Sequence, residues 1–204
     1  SSTPIGMGTM AVPISENQES QEKLNKQNLQ EFINSFPELT SIDYKGYVGF
    51  GATVDVICQT AKDENANLIV MGTKGADSSI EEFFVGTVSE KVTRNAPCSV
   101  LVVPESTKLT TLSHLGLALD KDSLENDFNL NILVNIKESF AANLHLVQII
   151  NENNTTLTEN EVRAIYKSSL GLKDFSFKIF HNDNLEEGIN VFLSENPIDV
   201  LALF

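Results

Sequence analysis

Two short stretches carry the residue types that hold a polyphosphate. They are Met71-Gly72-Thr73-Lys74-Gly75 and, after ten intervening residues, Gly86-Thr87-Val88-Ser89. The glycines let a ligand approach the main chain closely, and backbone N–H groups at a helix start attract phosphate oxygens. Thr87 and Ser89 add hydroxyl donors, and Lys74 adds positive charge. A plainer reading stands beside this one: Gly72 and Gly75 turn the chain and Gly86 allows close helix packing, since loops after strands favour glycine in any case. Two look-alikes fail on context. Gly6-Met-Gly8-Thr-Met-Ala11 matches the dinucleotide fingerprint in its letters, but no strand pattern precedes it and Pro13 interrupts any helix. No G-x-x-x-x-G-K-[ST] sequence occurs, so a P-loop mechanism is excluded.

The elements around the loop follow from hydrophobic spacing. Residues 1 to about 15, with Pro4 and Pro13, suit a loop, and a polar helix follows through Leu24, Phe32 and Phe36 until Pro37. Tyr44 to Phe50 alternates as a strand does. Val54, Ile57, Cys58 and Ala61 form an i, i+3, i+4, i+7 stripe. Leu68 to Met71 is a continuous apolar run, expected of a strand buried on both faces, and Ser99 to Val103 is another. Between them Phe83, Phe84, Val88 and Val92 keep helical spacing until Pro97. Residues 105–113 are polar and Thr-rich and read as a linker.

Beyond the linker the alternation restarts. Strands are expected at Leu115 to Leu119, Leu144 to Ile150, Phe175 to Phe180 and Val200 to Phe204. Helices are expected at Leu130 to Ala142 with Leu133, Ile136 and Phe140 inward, at Val162 to Leu170, and at Leu185 to Leu193. Strands alternating with helices imply a parallel sheet, because parallel neighbours need crossover connections. The expected fold is therefore α/β. Setting Asp199 on Asn67, an offset of 132, superposes two apolar runs, brings Ile189 onto Ile57 and Phe204 onto Gly72, and suggests an internal repeat.

Composition narrows the function. The chain has 204 residues, 41% hydrophobic and 21% charged, with no Trp, so it can build a packed core. Its formal charge of −14 divides as −6 up to Pro104 and −8 after it, and no basic run interrupts either part. Nucleic acid and anionic membrane surfaces are thereby disfavoured as partners. No apolar stretch reaches the roughly 18 to 20 residues of a membrane helix, and no leader pattern is seen. Cys58 and Cys98 form no C-x-x-C pair, so a zinc site, a disulfide framework and secretion are not suggested, and a cytoplasmic protein is expected. The sequons at Asn153 and Asn154 carry little weight without a secretory signal. Both chain ends read as cuts, since Ser1 opens the chain and Phe204 closes it within an apolar run.

Asn67-Leu-Ile-Val-Met-Gly-Thr-Lys-Gly75, Gly86-Thr-Val-Ser-Glu-Lys-Val92 and Asn95-Ala-Pro-Cys-Ser-Val-Leu-Val-Val-Pro104 together resemble the closing third of a universal stress protein domain, whose motif is G-x2-G-x9-G-[ST]. The resemblance returns in degenerate form after the linker. It implies an open, parallel five-stranded sheet with helices on both faces, Rossmann-like, in tandem. The first domain would be 1–104, with its opening strands missing. The second would be 114–204, lacking its closing helix and strand. The resemblance further implies ATP at the switch point, with Mg2+ carried by the nucleotide. Met71 and Gly72 would lie by ribose and phosphates, Lys74 and Gly75 beside the triphosphate, and Gly86, Thr87, Val88 and Ser89 around it. Here the second gap is ten residues instead of nine, and the family's acid after its first strand has no counterpart before Gly72. The second copy has such an acid, Asp120, but Phe204 replaces the first motif glycine. That copy is expected to be a structural partner without nucleotide. The family also pairs copies through its last strand, implying a homodimer or intramolecular domain pairing through 99–103.

Other candidates read as structural. His114, His145 and His181 lack metal spacing, and the Asp120 to Asp127 acidic run lacks the glycine of a calcium loop. No Ser, His and Asp set sits at a nucleophile turn, and no general base stands near the glycine loop, so no catalytic residue is assigned. Nucleotide-dependent signalling in stress is expected, with slow ATP hydrolysis or autophosphorylation left open. The rival is an interaction module of the same fold that binds no nucleotide.

Overall fold

The computed structural model describes residues 16–73, 87–119, 130–150, 158, 160–164 and 174–203. The chain divides into two compact units, Ser1–Thr60 and Ala61–Phe204.

In the first unit, α1 (Glu16–Asn34) ends just ahead of Pro37, which opens a 3-10 turn at Pro37–Ser41. Proline suits that position because its missing N–H lies among the unpaired donors of a helix start. Polar pairs stitch the exposed side of α1, Gln27 to Glu31 at 3.0 Å and Lys26 to Glu22 at 2.6 Å. Residues 43–50 form no strand, contrary to the alternation of Tyr44 to Phe50. A strand requires a neighbour to accept and donate its ladder bonds, and none stands beside this segment among the described residues. Instead it runs against α1, where a Cβ on Gly46 would lie 3.0 Å from Leu29 Cδ2. Gly51, at φ +122°, turns the chain into α2 (Thr53–Asp63), a conformation that a side chain would strain. The apolar stripe read from the sequence lies on this helix.

The second unit holds two parallel sheets. The first is a pair, β1 (Leu68–Gly72) with β2 (Ser99–Val103), in the register Leu68↔Ser99 to Gly72↔Val103. The crossover between them contains α3 (Thr87–Asn95), whose Val92 is fully buried. β1 and β2 are half-buried instead of enclosed on both faces as expected. Val70 is 60% exposed, because among the described residues a pair of strands offers too little sheet to cover it.

The second sheet comprises β3 (His114–Leu119), β4 (Asn143–Ile150), β5 (Ser176–His181) and β6 (Val200–Ala202), in the order β5-β4-β3-β6 and parallel throughout. One face packs Leu115, Leu117, Leu144 and Leu146 against Leu133 of α4 (Asn131–Phe140), with Val162 and Phe175 completing the core. Ile136 packs on this core as well, whereas Phe140 is 58% exposed, contrary to the inward placement expected. Its place in the last turn puts it beyond the sheet it was expected to cover. The other face receives α5 (Leu185–Glu195), whose Phe192 approaches Gly116 and meets Phe180 edge-on at 6.0 Å. Asn184 caps α5, its side chain accepting from the Glu186 and Glu187 amides. Helices on both faces of a parallel sheet make this an α/β fold.

The repeat offset reappears in the elements. Leu185 and Glu195, the ends of α5, stand 132 residues after Thr53 and Asp63, the ends of α2. At the same offset β6 falls within β1, and β5 falls on the unpaired 43–50 segment.

Candidate functional site

β1 brings Met71 and Gly72 to the carboxyl end of a parallel strand. The ladder continues one residue further, with the Thr73 N–H donating to the Val103 carbonyl at 3.2 Å. Lys74, Gly75 and Gly86 lie outside the described residues. The chain is described again at Thr87, the first residue of α3. Of the expected site residues, Met71 and Gly72 therefore stand at the carboxyl end of β1, and Thr87, Val88 and Ser89 on the first described turn of α3.

The three described helix residues differ. Thr87 and Val88 are exposed, while Ser89 is 2% exposed. The Ser89 carbonyl accepts from Thr93 Oγ1 at 2.9 Å, within the helix. Thr87 therefore presents its hydroxyl at the surface, whereas Ser89 belongs to the packed side of α3. β1 carries β2 on one edge, and its other edge has no partner among the described residues.

The larger sheet has its own switch point. The order β5-β4-β3-β6 reverses at β3, so its crevice opens between the carboxyl ends of β3 and β6. Asp120 and Phe204, which follow β3 and β6 in the sequence, lie outside the described residues. A recess of about 420 Å3 also opens at the amino end of α2, lined by Gly49, Phe50, Gly51, Ala52, Asp55 and Val56 among others. A Cβ on Gly49 would collide with Val56 Cγ1, so that glycine is required for packing.

A polar cluster that spacing alone had scattered is assembled by the sheet. His114 Nδ1 and His145 Nε2 are 2.9 Å apart, and His145 Nδ1 is 2.9 Å from Ser176 Oγ. His114 and Ser176 open β3 and β5, His145 is the third residue of β4, and all three lie on the α5 side of the sheet. Burial first, then His114 and Lys178, hold His145 below the ordinary histidine value. Asp199 accepts from the amides of Ser113 and His114 at 2.7 and 2.8 Å, and these bonds hold its carboxyl below the usual carboxylate value. Nothing along the chain signals this meeting: the three are separated by 31 residues at each step, and the parallel register of the strands brings them together near their amino ends.

The family model described as "Universal stress protein family" matches residues 2–104. The chain belongs to the universal stress protein family. Relatives agree with this membership: curated proteins from Staphylococcus aureus strains USA300 and NCTC 8325, both named as universal stress proteins, are 37% identical over 84 residues. Those matches cover 39% of this chain and 50% of each relative, so the chain spans about half the length of the curated relatives it matches. The fold is likewise similar to a crystal structure of a universal stress protein from Archaeoglobus fulgidus. That likeness has TM-score 0.71 and 16% identity, and covers 94% of this chain and 71% of that one. A second structure, from Pseudomonas aeruginosa, gives TM-score 0.58 at 15% identity, covering 87% and 66%. Among the described residues no helix is long and apolar enough to cross a membrane.

Proposed function

We propose that this universal stress protein binds an adenine nucleotide at the 71–89 loop and acts in a stress response through the bound state, in the cytoplasm. The observation that supports the reading is the sequence order of β1, the glycine-bearing 72–86 stretch and α3. β1 ends at Gly72, α3 starts at the exposed Thr87, and the sequence between and around them supplies Gly75, Gly86 and Lys74. With a formal charge of −14, the chain offers little general attraction to a polyphosphate. Affinity would then rest on backbone N–H groups at the helix start, on Thr87 and on Lys74. ATP would bring its own Mg2+, so the protein need supply no metal ligand.

Calorimetry of the chain with Mg2+ and ATP tests the reading, with Lys74→Ala and Thr87→Val as variants. Saturable heat that weakens in both variants is the expected result. Absence of heat and of a thermal shift at millimolar nucleotide refutes it.

A second reading, an interaction module that binds no nucleotide, draws support from the half-covered β1 and β2 and the exposed Val70. In that reading β2 pairs with a second copy or another domain through residues 99–103.

A further inference from the structure

We propose that Ser176, His145 and His114 form an acid-released latch across the amino ends of β5, β4 and β3. The latch holds while the two rings share at most one added proton, and parts when both are protonated. The argument begins with the two 2.9 Å contacts, which link three adjacent strands through side chains alone.

A hydrogen bond between two imidazole nitrogens needs one N–H and one bare nitrogen. With both rings neutral the chain closes in either direction. In one, Ser176 Oγ donates to His145 Nδ1 and His145 Nε2 donates to His114 Nδ1. In the other, His114 Nδ1 donates to His145 Nε2 and His145 Nδ1 donates to Ser176 Oγ. One added proton leaves a donor and an acceptor facing each other. A second makes both facing nitrogens donors, with two positive rings whose centroids are 5.2 Å apart. The bond is then lost and replaced by like-charge repulsion.

The surroundings bias the proton's position. Lys178 of β5 lies on the same side as His145, adds a positive charge near it, and donates to Asn196 Oδ1 at 2.9 Å. Asp199, just ahead of β6, interacts with His114. From α5, which packs on β4 and β5, the side chains at this end are Asn196, buried and held by the Phe192 carbonyl, and Glu195, exposed. Arg163 stacks over Phe175, which belongs to the core on the opposite face. Asp199 thus sets a negative charge against His114, whereas His145 meets the positive charges of His114 and Lys178.

The sign of the pH effect follows. His145 is held below its free value of 6.5, so the unfolded chain binds this proton more readily than the folded one. Stability from the latch is complete above that value and declines as pH falls below it, until the folded ring also protonates. The amino margin of the sheet loosens only at the lower end of that interval, where the folded His145 ring itself protonates, while the β6 attachment through Asp199 persists.

The test uses imidazole NMR of the whole chain across pH 8 to 4, together with unfolding of His114→Gln, His145→Gln and the double variant at pH 7.5 and 5. In the wild type, His145 protonation is expected to coincide with changes in the His114 and Ser176 resonances. In His114→Gln the His145 midpoint should rise, because a like charge has gone. The 114–145 coupling free energy should be favourable at pH 7.5 and unfavourable at pH 5. If His145 titrates without disturbing Ser176 or His114, or if the coupling is the same at both pH values, the latch is overturned. The wild-type titration decides the matter even if a variant does not fold.

Discussion

Substituting Gly188 by alanine sets two opposed effects against each other at one site. Gly188 is buried in α5, and alanine in a helix interior is favoured over glycine by about 1 kcal/mol. On that ground alone the variant should gain stability. A Cβ at this position, however, would stand 2.5 Å from Ile149 Cγ2 and 3.2 Å from its Cδ1, with Asn182 Cβ at 3.3 Å. Ordinary contact begins at 3.4 Å, so the helix or the strand must move by roughly 1 Å. Ile149 gives way poorly, because its branched Cβ restricts χ1 and its backbone is paired with Phe180 of β5 in the sheet. Overpacking of this kind costs about 1–3 kcal/mol, so the net effect should be a loss of up to about 2 kcal/mol.

The same change in an Ile149→Ala background meets no Cγ2, and should then stabilise that variant by about 1 kcal/mol as helix propensity alone dictates. Urea denaturation followed by far-ultraviolet circular dichroism on the four chains of this cycle gives the coupling, expected at about 1–3 kcal/mol. If Gly188→Ala stabilises the protein with Ile149 present, or has the same effect in both backgrounds, the steric reasoning is refuted.

Three other outcomes are expected. Asn184→Ala removes the acceptor for the Glu186 and Glu187 amides and should cost about 1 kcal/mol in the same denaturation assay, whereas Asn184→Asp should cost much less. Asp199→Asn weakens the acceptor bound by two amides. Because the carboxyl is held below its ordinary value of 3.8, its stabilisation is complete above that value and lost as pH falls, so the variant should have a lower melting temperature at pH 7 and a shallower acid limb near pH 3. Val102→Lys should raise the monomer fraction in solution scattering if β2 mediates pairing; an unchanged mass would count against pairing through 99–103.

The elements flanking the candidate site, β1 and α3, were legible in the sequence because their signals are local. The apolar run to Met71 and the helical spacing of Val88 and Val92 announced β1 and α3, and Gly72 closes that strand, without any tertiary knowledge. Exposure was not legible at that level. Thr87 and Ser89 are two residues apart and chemically alike, yet one is exposed and the other is enclosed, since positions two apart lie on different sides of a helix. The histidine cluster was invisible for a different reason. His114, His145 and Ser176 meet only when three parallel strands align in one register, and no spacing rule along the chain encodes a lateral neighbour.

The clearest division is between residues 43–50 and 176–181. Both alternate as strands, and they correspond at the 132-residue offset. Local pattern determined which residues favour an extended chain, and it did so in both places. Only the tertiary structure decided which became a strand. β5 pairs with β4 from His145↔Ser176 to Ile150↔His181, whereas among the described residues nothing pairs with 43–50. A helix closes its hydrogen bonds within itself and can be read from its own residues. A strand takes half its structure from a neighbour, and that neighbour is a property of the fold.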